Sequence, residues 1–336
     1  MVHHQPSRIR CVMYPDWPES HANLVPLPQC DGPKLKPFNF QGPQKIEFLE
    51  YLGEGLHAHV FKVKILGHIY ALKLFRFLDW NDTWLGPSSK SDHDDRKLMS
   101  AFQNYSDPFN CECRAFARLQ EAGHEELALK CFGYVLLDEA HESVMKSQFA
   151  QYSMETSLCF SGDIYNYDQE ELHRSLYLGK NGRVPPIRGI VKEFGKEEEE
   201  ENLRPKLLRK ILRDIGKLQQ LGILGFDVAA RNIINGKFGD FSTAITVPHF
   251  LTTPELNPFL TPDMISAMEL ETFRLSLSDY LEFDMMIFEW NMEYADQKGE
   301  ISVNALPGGR GCQIRTVTAD IKSTAKCQAA YMVLQL

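Results

Sequence analysis

The sequence contains no long run of apolar residues. Hydrophobic residues make up 43% of the 336-residue chain, yet no stretch approaches the roughly 20 apolar residues that a membrane-spanning helix needs. The first residues, MVHHQPSRIRC, include no apolar segment of the kind found in secretory signals. We therefore expect a nuclear or cytoplasmic protein with no membrane partner.

An excess of basic charge is also missing. The chain has 36 Lys and Arg against 45 Asp and Glu, a formal net charge of −9, whereas nucleic-acid binding depends on a basic surface. We expect no direct nucleic-acid partner. The eight cysteines include no CxxC, and the pair Cys111 and Cys113 has no second pair at zinc-finger spacing. Reduced, mostly buried thiols are the expectation.

Strand patterns dominate the first half of the chain. Residues 1–44 are rich in Pro, His and Gln and predict an irregular arm. Residues 45–195 then predict an antiparallel sheet with one helix, CECRAFARLQEAG. Five segments predict strands, with a turn at Gly67-His68 after the second: IEFLEYLGEG, AHVFKVKI, IYALKLFRF, LALKCFGYVLLD and PPIRGIVKEFG. Two polar stretches, at about 79–108 and 138–184, predict inserted loops.

The second half, residues 196–306, predicts helices. It begins in a run of five glutamates that predicts a solvated linker, followed by LLRKILRDIGKLQQLGI with one apolar stripe. TPDMISAMELETF and SDYLEFDMMIFEWNMEY predict two further helices. Residues 307–336 change composition, and we place this tail outside the core. The fold class is thus α+β in two parts, joined near residues 194–202.

A glycine turn, a strand lysine and a helix glutamate form the first set of candidate site residues. Gly53 and Gly55 lie between two paired strands, where backbone amides can approach a phosphate closely. The same pattern is also typical of an ordinary hairpin turn. Lys73 lies among apolar strand residues, and such a side chain either reaches the surface or binds an anion. Glu112, taken alone, is simplest as a solvated carboxylate in the first turn of a helix.

A second set lies in GFDVAARNIINGKFGDFSTA. Asp227 and Asn232 bracket a short loop, and the Asn-Gly-Lys turn after it predicts a hairpin that brings Asp240 back toward Asn232. Carboxylate and amide oxygens are ligands that Mg²⁺ prefers beside substrate phosphates. Asn and Asp also cap ordinary turns, so each residue by itself has a simple structural interpretation.

The ordered set resembles the protein kinase fold over about residues 46–295. That family carries a glycine-rich loop, a VAIK lysine, a helix glutamate, HRD-x4-N and DFG, and this chain has YALK, DVAARN and GDFS in the same order. The resemblance implies two lobes, with an antiparallel-sheet N-lobe and a shortened helical C-lobe. It also implies ATP and Mg²⁺ as cofactors.

The resemblance carries roles to individual positions. Lys73, paired with Glu112, would bind the α- and β-phosphates, and Asp227 would accept the proton of the acceptor hydroxyl. Asn232 and Asp240 would hold Mg²⁺. The remaining positions would cover or contact the nucleotide: Gly53, Gly55, Ala58, Val60, Glu193 and Phe194. Of these, Glu193 and Phe194 belong to GIVKEF, which takes the place of the hinge strand.

Several stretches are similar to a fungal kinase-like family named after a subunit of the Sim4 kinetochore complex. They include ECRAFARLQEAG and GDFSTAITVPHFLTTPELNP. This resemblance implies kinetochore partners and a kinetochore location.

The resemblances leave three functions open. The main prediction is an ATP- and Mg²⁺-dependent phosphotransferase acting on a protein Ser/Thr hydroxyl or a small molecule. The alternatives are a nucleotide-binding pseudokinase and a non-catalytic kinetochore subunit. Gly225 and Phe226, in place of the family's His-Arg, and the short segment from Asp240 to Pro254-Glu255 favour the pseudokinase. The kinetochore resemblance implies the non-catalytic subunit. Ser242 takes the place of the last glycine of DFG.

Overall fold

A computed structural model describes most of the chain. The described residues are 14–77, 96–150, 158–162, 174–175, 177–179, 181–195, 201, 203–257 and 262–306. Five predicted features lie partly or wholly outside them: the start of the arm, the first part of the polar stretch at 79–108, parts of the polar stretch at 138–184, most of the glutamate run and the tail 307–336.

One five-stranded antiparallel sheet forms the first half, which confirms the predicted strands. The strands are Glu47–Glu54 (β1), Ala58–Ile65 (β2), His68–Phe75 (β3), Cys131–Leu137 (β4) and Ile187–Glu193 (β5). Their spatial order is β1-β2-β3-β5-β4. Leu66 (φ 50°) and Gly67 (φ 81°) make the tight turn between β2 and β3, one residue earlier than predicted.

Five α-helices accompany the strands in the described residues. They are Arg96–Ser106 (α1), Pro108–Ala122 (α2), Glu139–Gln148 (α3), Pro205–Gln220 (α4) and Pro262–Lys298 (α5). Helix α2 begins after its N-cap Asp107, with a proline at its first position, and ends at Gly123 in the left-handed conformation (φ 69°). Helix α4 presents the predicted apolar stripe to the core through Leu208, Ile211, Ile215 and Leu218.

Three helix predictions need correction. The polar stretches at 79–108 and 138–184 are not only loops, because they contain α1 and α3. The side chain of Asp138 accepts the backbone N–H of His141 and starts α3, a capping signal that the polar composition concealed. The two helices predicted after residue 261 are one continuous helix of 37 residues, α5. No Gly or Pro follows Pro262 within α5, and the hydroxyl of Ser278, the predicted start of the second helix, donates to the Leu275 carbonyl (2.8 Å) rather than capping a new helix.

Short strands shape the region after α4. Ile223–Leu224 (β6) pairs with Ile245–Thr246 (β9), and Ile233–Ile234 (β7) pairs with Lys237–Phe238 (β8). The turn of the second pair is Asn235 (φ 52°) and Gly236 (φ 69°), as the Asn-Gly-Lys signal predicts. These two small ladders fix the loops that carry the candidate residues of the second half.

The sheet separates two apolar clusters. On one face, Phe116 of α2 packs with α4, α5 and the region of β6–β9. On the other face, Phe38 and Phe40 of the N-terminal arm pack with α3, so the arm is irregular but partly buried. Among the described helices, none combines the length and the apolar composition that a membrane crossing requires.

Candidate functional site

The site begins at the turn between β1 and β2. The Gly55 amide donates to the Ala58 carbonyl (2.9 Å), and no atom lies within 4 Å of where a Cβ would stand on Gly53 or Gly55. Val60 lies opposite Lys73 in the β2–β3 ladder. At the tip of the turn, His57 Nδ1 lies 3.2 Å from Ser242 Oγ, which connects the glycine turn to the segment after Asp240.

Four charged side chains meet beneath this turn. Lys73 Nζ lies 2.8 Å from Glu112 Oε2 and 2.7 Å from Asp240 Oδ1. Lys192 Nζ lies 2.7 Å from Glu112 Oε1 and also donates to the Gly239 carbonyl (2.7 Å). Lys73, Asp240 and the helix glutamate therefore share one site, as the resemblance implied. We define Lys73, Glu112, Lys192 and Asp240 as the four-charge cluster.

Glu112 does not lie where its local sequence suggested. The interpretation as a solvated first-turn carboxylate is wrong, because α2 starts at Pro108 and the Glu112 side chain is 0% exposed. Its position toward the inner face of α2 places it between the two lysines. A carboxylate is rarely buried unless it is paired, and here each of its oxygens accepts from one ammonium group.

Burial and charge act in opposite directions in this cluster. Burial by itself would raise the pKa of Asp240, but the ammonium groups of Lys73 and Lys192 hold it well below its ordinary value. Burial would lower the pKa of Lys73, and the carboxylates of Asp240 and Glu112 outweigh that effect and raise it. Asp240 is therefore a carboxylate and Lys73 an ammonium at neutral pH. By formal charge, the cluster pairs two basic side chains with two acidic ones.

Asp227 lies on the loop between β6 and β7. Its Oδ2 accepts from Asn232 Nδ2 (3.0 Å) and from Arg231 (2.5 Å), and its side chain is 42% exposed. The Asn232 backbone accepts the Gly239 amide (2.8 Å), so the β7–β8 hairpin does bring the segment of Asp240 back beside Asn232. The described residues contain no group of three or more His, Cys, Asp or Glu at metal-binding distance.

Gly225, one of the departures from the kinase pattern, has a structural reason. Its φ of +61° lies in the left-handed region, and a Cβ there would stand 3.1 Å from the Leu275 side chain on α5. A histidine would be strained at this position and would collide with α5. The neighbouring Phe226 is fully buried and packs on Phe238 and Phe241.

Two carboxylates of α5 hold the Asp227 loop in place. Asp279 accepts the backbone N–H groups of Gly225 (3.3 Å) and Phe226 (3.0 Å), and Glu282 accepts that of Val228 (2.9 Å). Burial raises the pKa of Asp279 to about 7. The sequence analysis did not identify either residue, because α5 contains seven further Asp and Glu and the spacing of these two carries no distinct signal.

Helix α2 is also fastened to the segment after Asp240. Arg114 donates to the carbonyls of Thr246 (2.9 Å) and Pro248, and Arg118 donates to that of Val247 (2.6 Å). Arg114 also reaches the Asp31 carbonyl of the N-terminal arm (2.7 Å). These contacts hold in place the helix that carries Glu112.

Glu193 and Phe194, the predicted hinge residues, end β5. The Glu193 amide donates to the Lys130 carbonyl (2.8 Å), and the Lys62 ammonium lies 4.9 Å from the centre of the Phe194 ring. A Cβ on the next residue, Gly195, would stand 2.5 Å from Ile234, so the chain here passes directly against the β7–β8 hairpin. Glu193, the last residue of β5, and Phe194 thus lie at the end of an interior strand, beside the second half of the chain.

Comparison with known proteins identifies a family whose model matches this chain. A search of curated proteins found no match to this chain. The model of the family described as kinetochore Sim4 complex subunit FTA2 matches residues 23–245, which include the glycine turn, all four members of the four-charge cluster and the Asp227 loop. The match covers well over half of the chain, and the chain belongs to the Sim4 kinetochore complex subunit FTA2 family.

Proposed function

We propose that this protein is a non-catalytic, nucleotide-binding subunit of a Sim4-type kinetochore assembly, built on a two-lobed kinase-like fold. Membership of the FTA2 family supports the assembly role and a nuclear, kinetochore location. The order of elements supports the fold: a five-stranded antiparallel sheet carries Lys73, and the region after α4 carries Asp227, Asn232 and Asp240.

One observation supports nucleotide binding more than any other. Lys73 Nζ lies within 2.8 Å of both Glu112 and Asp240, carboxylates that come from different elements far apart in the sequence. A lysine placed this way by a buried carboxylate can bind a phosphate oxygen, because its charge is fixed and its position is set before the ligand arrives.

The chain offers suitable groups for each part of a magnesium nucleotide. The space beside Gly53 and Gly55 is open, and a triphosphate bound there would contact Lys73. Asp240 with the amide oxygen of Asn232 would hold Mg²⁺, which prefers such oxygen ligands. Glu193 and Phe194 would adjoin the base. The metal supplies charge neutralisation of the phosphates when it is bound.

Three features favour a subunit that does not transfer phosphate. Gly225 and Phe226 stand where the kinase pattern has the His-Arg of its catalytic loop. Arg231 pairs with Asp227 Oδ2, so the carboxylate that would receive the hydroxyl proton is already bound to a cation. The arginine pair Arg114 and Arg118 fixes the segment after Asp240 without any phosphorylated residue.

A phosphotransferase is the second candidate. The Asp227 carboxylate is 42% exposed and is oriented by Asn232, as a base that receives a hydroxyl proton would be. Its acceptor would be a protein Ser/Thr hydroxyl or a small molecule.

Thermal unfolding with and without nucleotide tests the proposal. At 100 times the dissociation constant, Mg-ATP adds about 2.7 kcal/mol of stability, or about 4 °C in the midpoint for a chain of this length. We expect this shift with Mg-ATP, a smaller one with ATP and EDTA, and none with Mg²⁺ alone. Lys73→Met keeps the side-chain length and removes the phosphate contact, so its midpoint should not respond. An unchanged midpoint in the wild-type protein contradicts nucleotide binding.

ATP turnover separates the two candidates. We expect no hydrolysis and no transfer to kinetochore proteins from the wild-type chain. Turnover that disappears in Asp227→Asn, while the thermal shift remains, would establish the second candidate and overturn the non-catalytic role.

A further inference from the structure

Helix α5 exposes an apolar face along its C-terminal half. Met285, Phe288 and Met292 are 42%, 37% and 75% exposed, and their spacing of three and four residues puts them on one side of the helix. Single exposed apolar residues are ordinary, but an aligned set on one helix is typical of a surface that binds another protein.

A cleft runs along α5, and Met285 is part of its lining. It has a volume of about 430 Å³ and lies between α5 and the loop of residues 227–231. Its α5 side extends from Glu282 to Tyr294, about 18 Å at the helical rise of about 1.5 Å per residue. Trp290 and Tyr294 line it, with ring centroids 5.6 Å apart. The cleft therefore has the length of about three helical turns and an aromatic end.

The charge around the cleft is almost entirely negative. Its lining contains four carboxylates and a single cation, Arg231. From Leu275 to Gln297 the chain has six Asp and Glu and no Lys, Arg or His. Glu289 and Glu293 are exposed, lie one turn apart, and flank the apolar residues. We call Met285, Phe288, Glu289, Met292 and Glu293 the acidic face of α5.

We propose that the acidic face of α5 binds a basic amphipathic helix of another protein. Its apolar side chains would pack on Met285, Phe288 and Met292, and its Lys or Arg residues would pair with Glu289 and Glu293. The inference draws on membership of a kinetochore assembly family and does not require nucleotide binding.

The negative charge of the acidic face favours a basic partner helix over other molecules that could bind there. A second copy of the chain would bring the same carboxylates against each other, and like charges in register cost affinity. Nucleic acid is repelled for the same reason. The chain's own residues 307–336 carry four Lys and Arg and one Asp, so the experiment must separate that segment from a partner.

Fluorescence anisotropy with a synthetic probe tests the proposal on the full chain. The probe is a labelled 18-residue peptide of Leu and Lys with one apolar face, and its control has Glu in place of Lys. We expect the Lys peptide to bind and the Glu peptide not to bind. Binding should be unchanged by Mg-ATP, so failure here is distinct from failure of the proposed nucleotide function.

Matched variants locate the binding. Glu289→Lys combined with Glu293→Lys should weaken the Lys peptide at least tenfold, and Phe288→Ala several-fold. Glu269→Lys and Phe273→Ala serve as controls because both residues are exposed on α5 and Glu269 lies about 30 Å from Glu289 along the helix axis. They should leave binding unchanged. Equal loss in the controls would mean general attraction to an acidic protein and would overturn the proposal.

Two measurements keep the test independent of these variants. Hydrogen exchange of wild-type residues 282–294 should slow when the Lys peptide is added, and unchanged exchange there would contradict the proposal. Reversing the tail charges with Arg310→Glu, Arg315→Glu, Lys322→Glu and Lys326→Glu should not alter peptide binding. Binding that becomes tighter would identify the chain's own tail as the occupant and overturn a partner helix.

Discussion

The candidate site depends on Glu112, whose charged side chain is buried. A carboxylate with no exposed surface costs several kcal/mol to bury unless its lone pairs are filled, and Lys73 and Lys192 fill them from two strands. Asp240 balances the second positive charge. The cluster is therefore neutral as a unit, and the loss of one member leaves a buried charge uncompensated.

We expect Glu112→Gln to lower the free energy of unfolding by about 3–5 kcal/mol, because two ammonium groups then share one carboxylate. The double variant Glu112→Gln with Lys192→Met removes one charge of each sign and keeps the Lys73–Asp240 pair. It should recover part of the loss, as measured by urea unfolding of both variants. A double variant that is no more stable than Glu112→Gln would show that charge balance is not what holds the cluster.

At the scale of elements, α2 connects the sheet to the second half of the chain. Its N-cap Asp107 also receives the Arg188 guanidinium of β5 (2.7 Å). From its middle, Arg114 reaches both the N-terminal arm and the segment after β9. The helix is thus positioned at its start by the sheet and along its length by two loops.

Two N-cap aspartates allow a matched comparison. Asp107 is 6% exposed and paired with a buried arginine, whereas the Asp138 side chain of α3 is 45% exposed. Asp138→Ala should cost about 1 kcal/mol, the usual value of a helix cap. Asp107→Ala should cost about 3–5 kcal/mol in urea unfolding, since it also leaves Arg188 without its carboxylate. Equal losses of unfolding free energy in the two variants would mean that the Arg188 contact does not stabilise the protein.

At the scale of the whole molecule, α5 supports the loops and the core of the second half. Asp279 and Glu282 hold the Asp227 loop through backbone amides. Glu282 also lines the cleft beside Glu289 and Glu293 of the acidic face. The core beneath includes Phe283 and Ile287, which pack in the same cluster as α2 and α4. A single helix thereby links the candidate site to a proposed partner surface.

Buried Asp279 should make the stability of the molecule depend on pH. Burial raises its pKa from 3.8 to about 7, so its favourable contribution is complete below about pH 4 and is lost as the pH rises through about 7. Between those values the free energy of unfolding should fall by up to about 4 kcal/mol relative to Asp279→Asn, which does not titrate. Urea unfolding from pH 4 to 8 measures the difference in slope.

Glu269→Gln is the control for this pH series because Glu269 is exposed on the same helix. Its profile should follow that of the wild-type protein. Parallel profiles for wild type and Asp279→Asn would refute the raised pKa.

The sequence predicts the elements best where the local pattern carries the whole signal. Alternating residues specify β2 and its neighbours, the apolar stripe specifies α4, and Asn235-Gly236 specifies a hairpin. Prediction from the sequence fails where packing determines the helices. Helices α1 and α3 look polar in sequence, and α5 is predicted as two helices. The Asp138 cap of α3 is a local signal that the polar composition concealed. Helices α1 and α5 contact distant residues, and a window of neighbouring residues does not contain those contacts.

The candidate site divides in the same way. The sequence by itself determined the residue types and their order, since Lys73, Glu112, Asp227, Asn232 and Asp240 could be named from spacing and resemblance. Only the tertiary structure decided that Glu112 is buried between two lysines, that Lys192 completes the cluster, and that Asp279 holds the Asp227 loop. The physical reason is that burial and charge pairing depend on which distant elements pack together, and those contacts exist only in the folded chain.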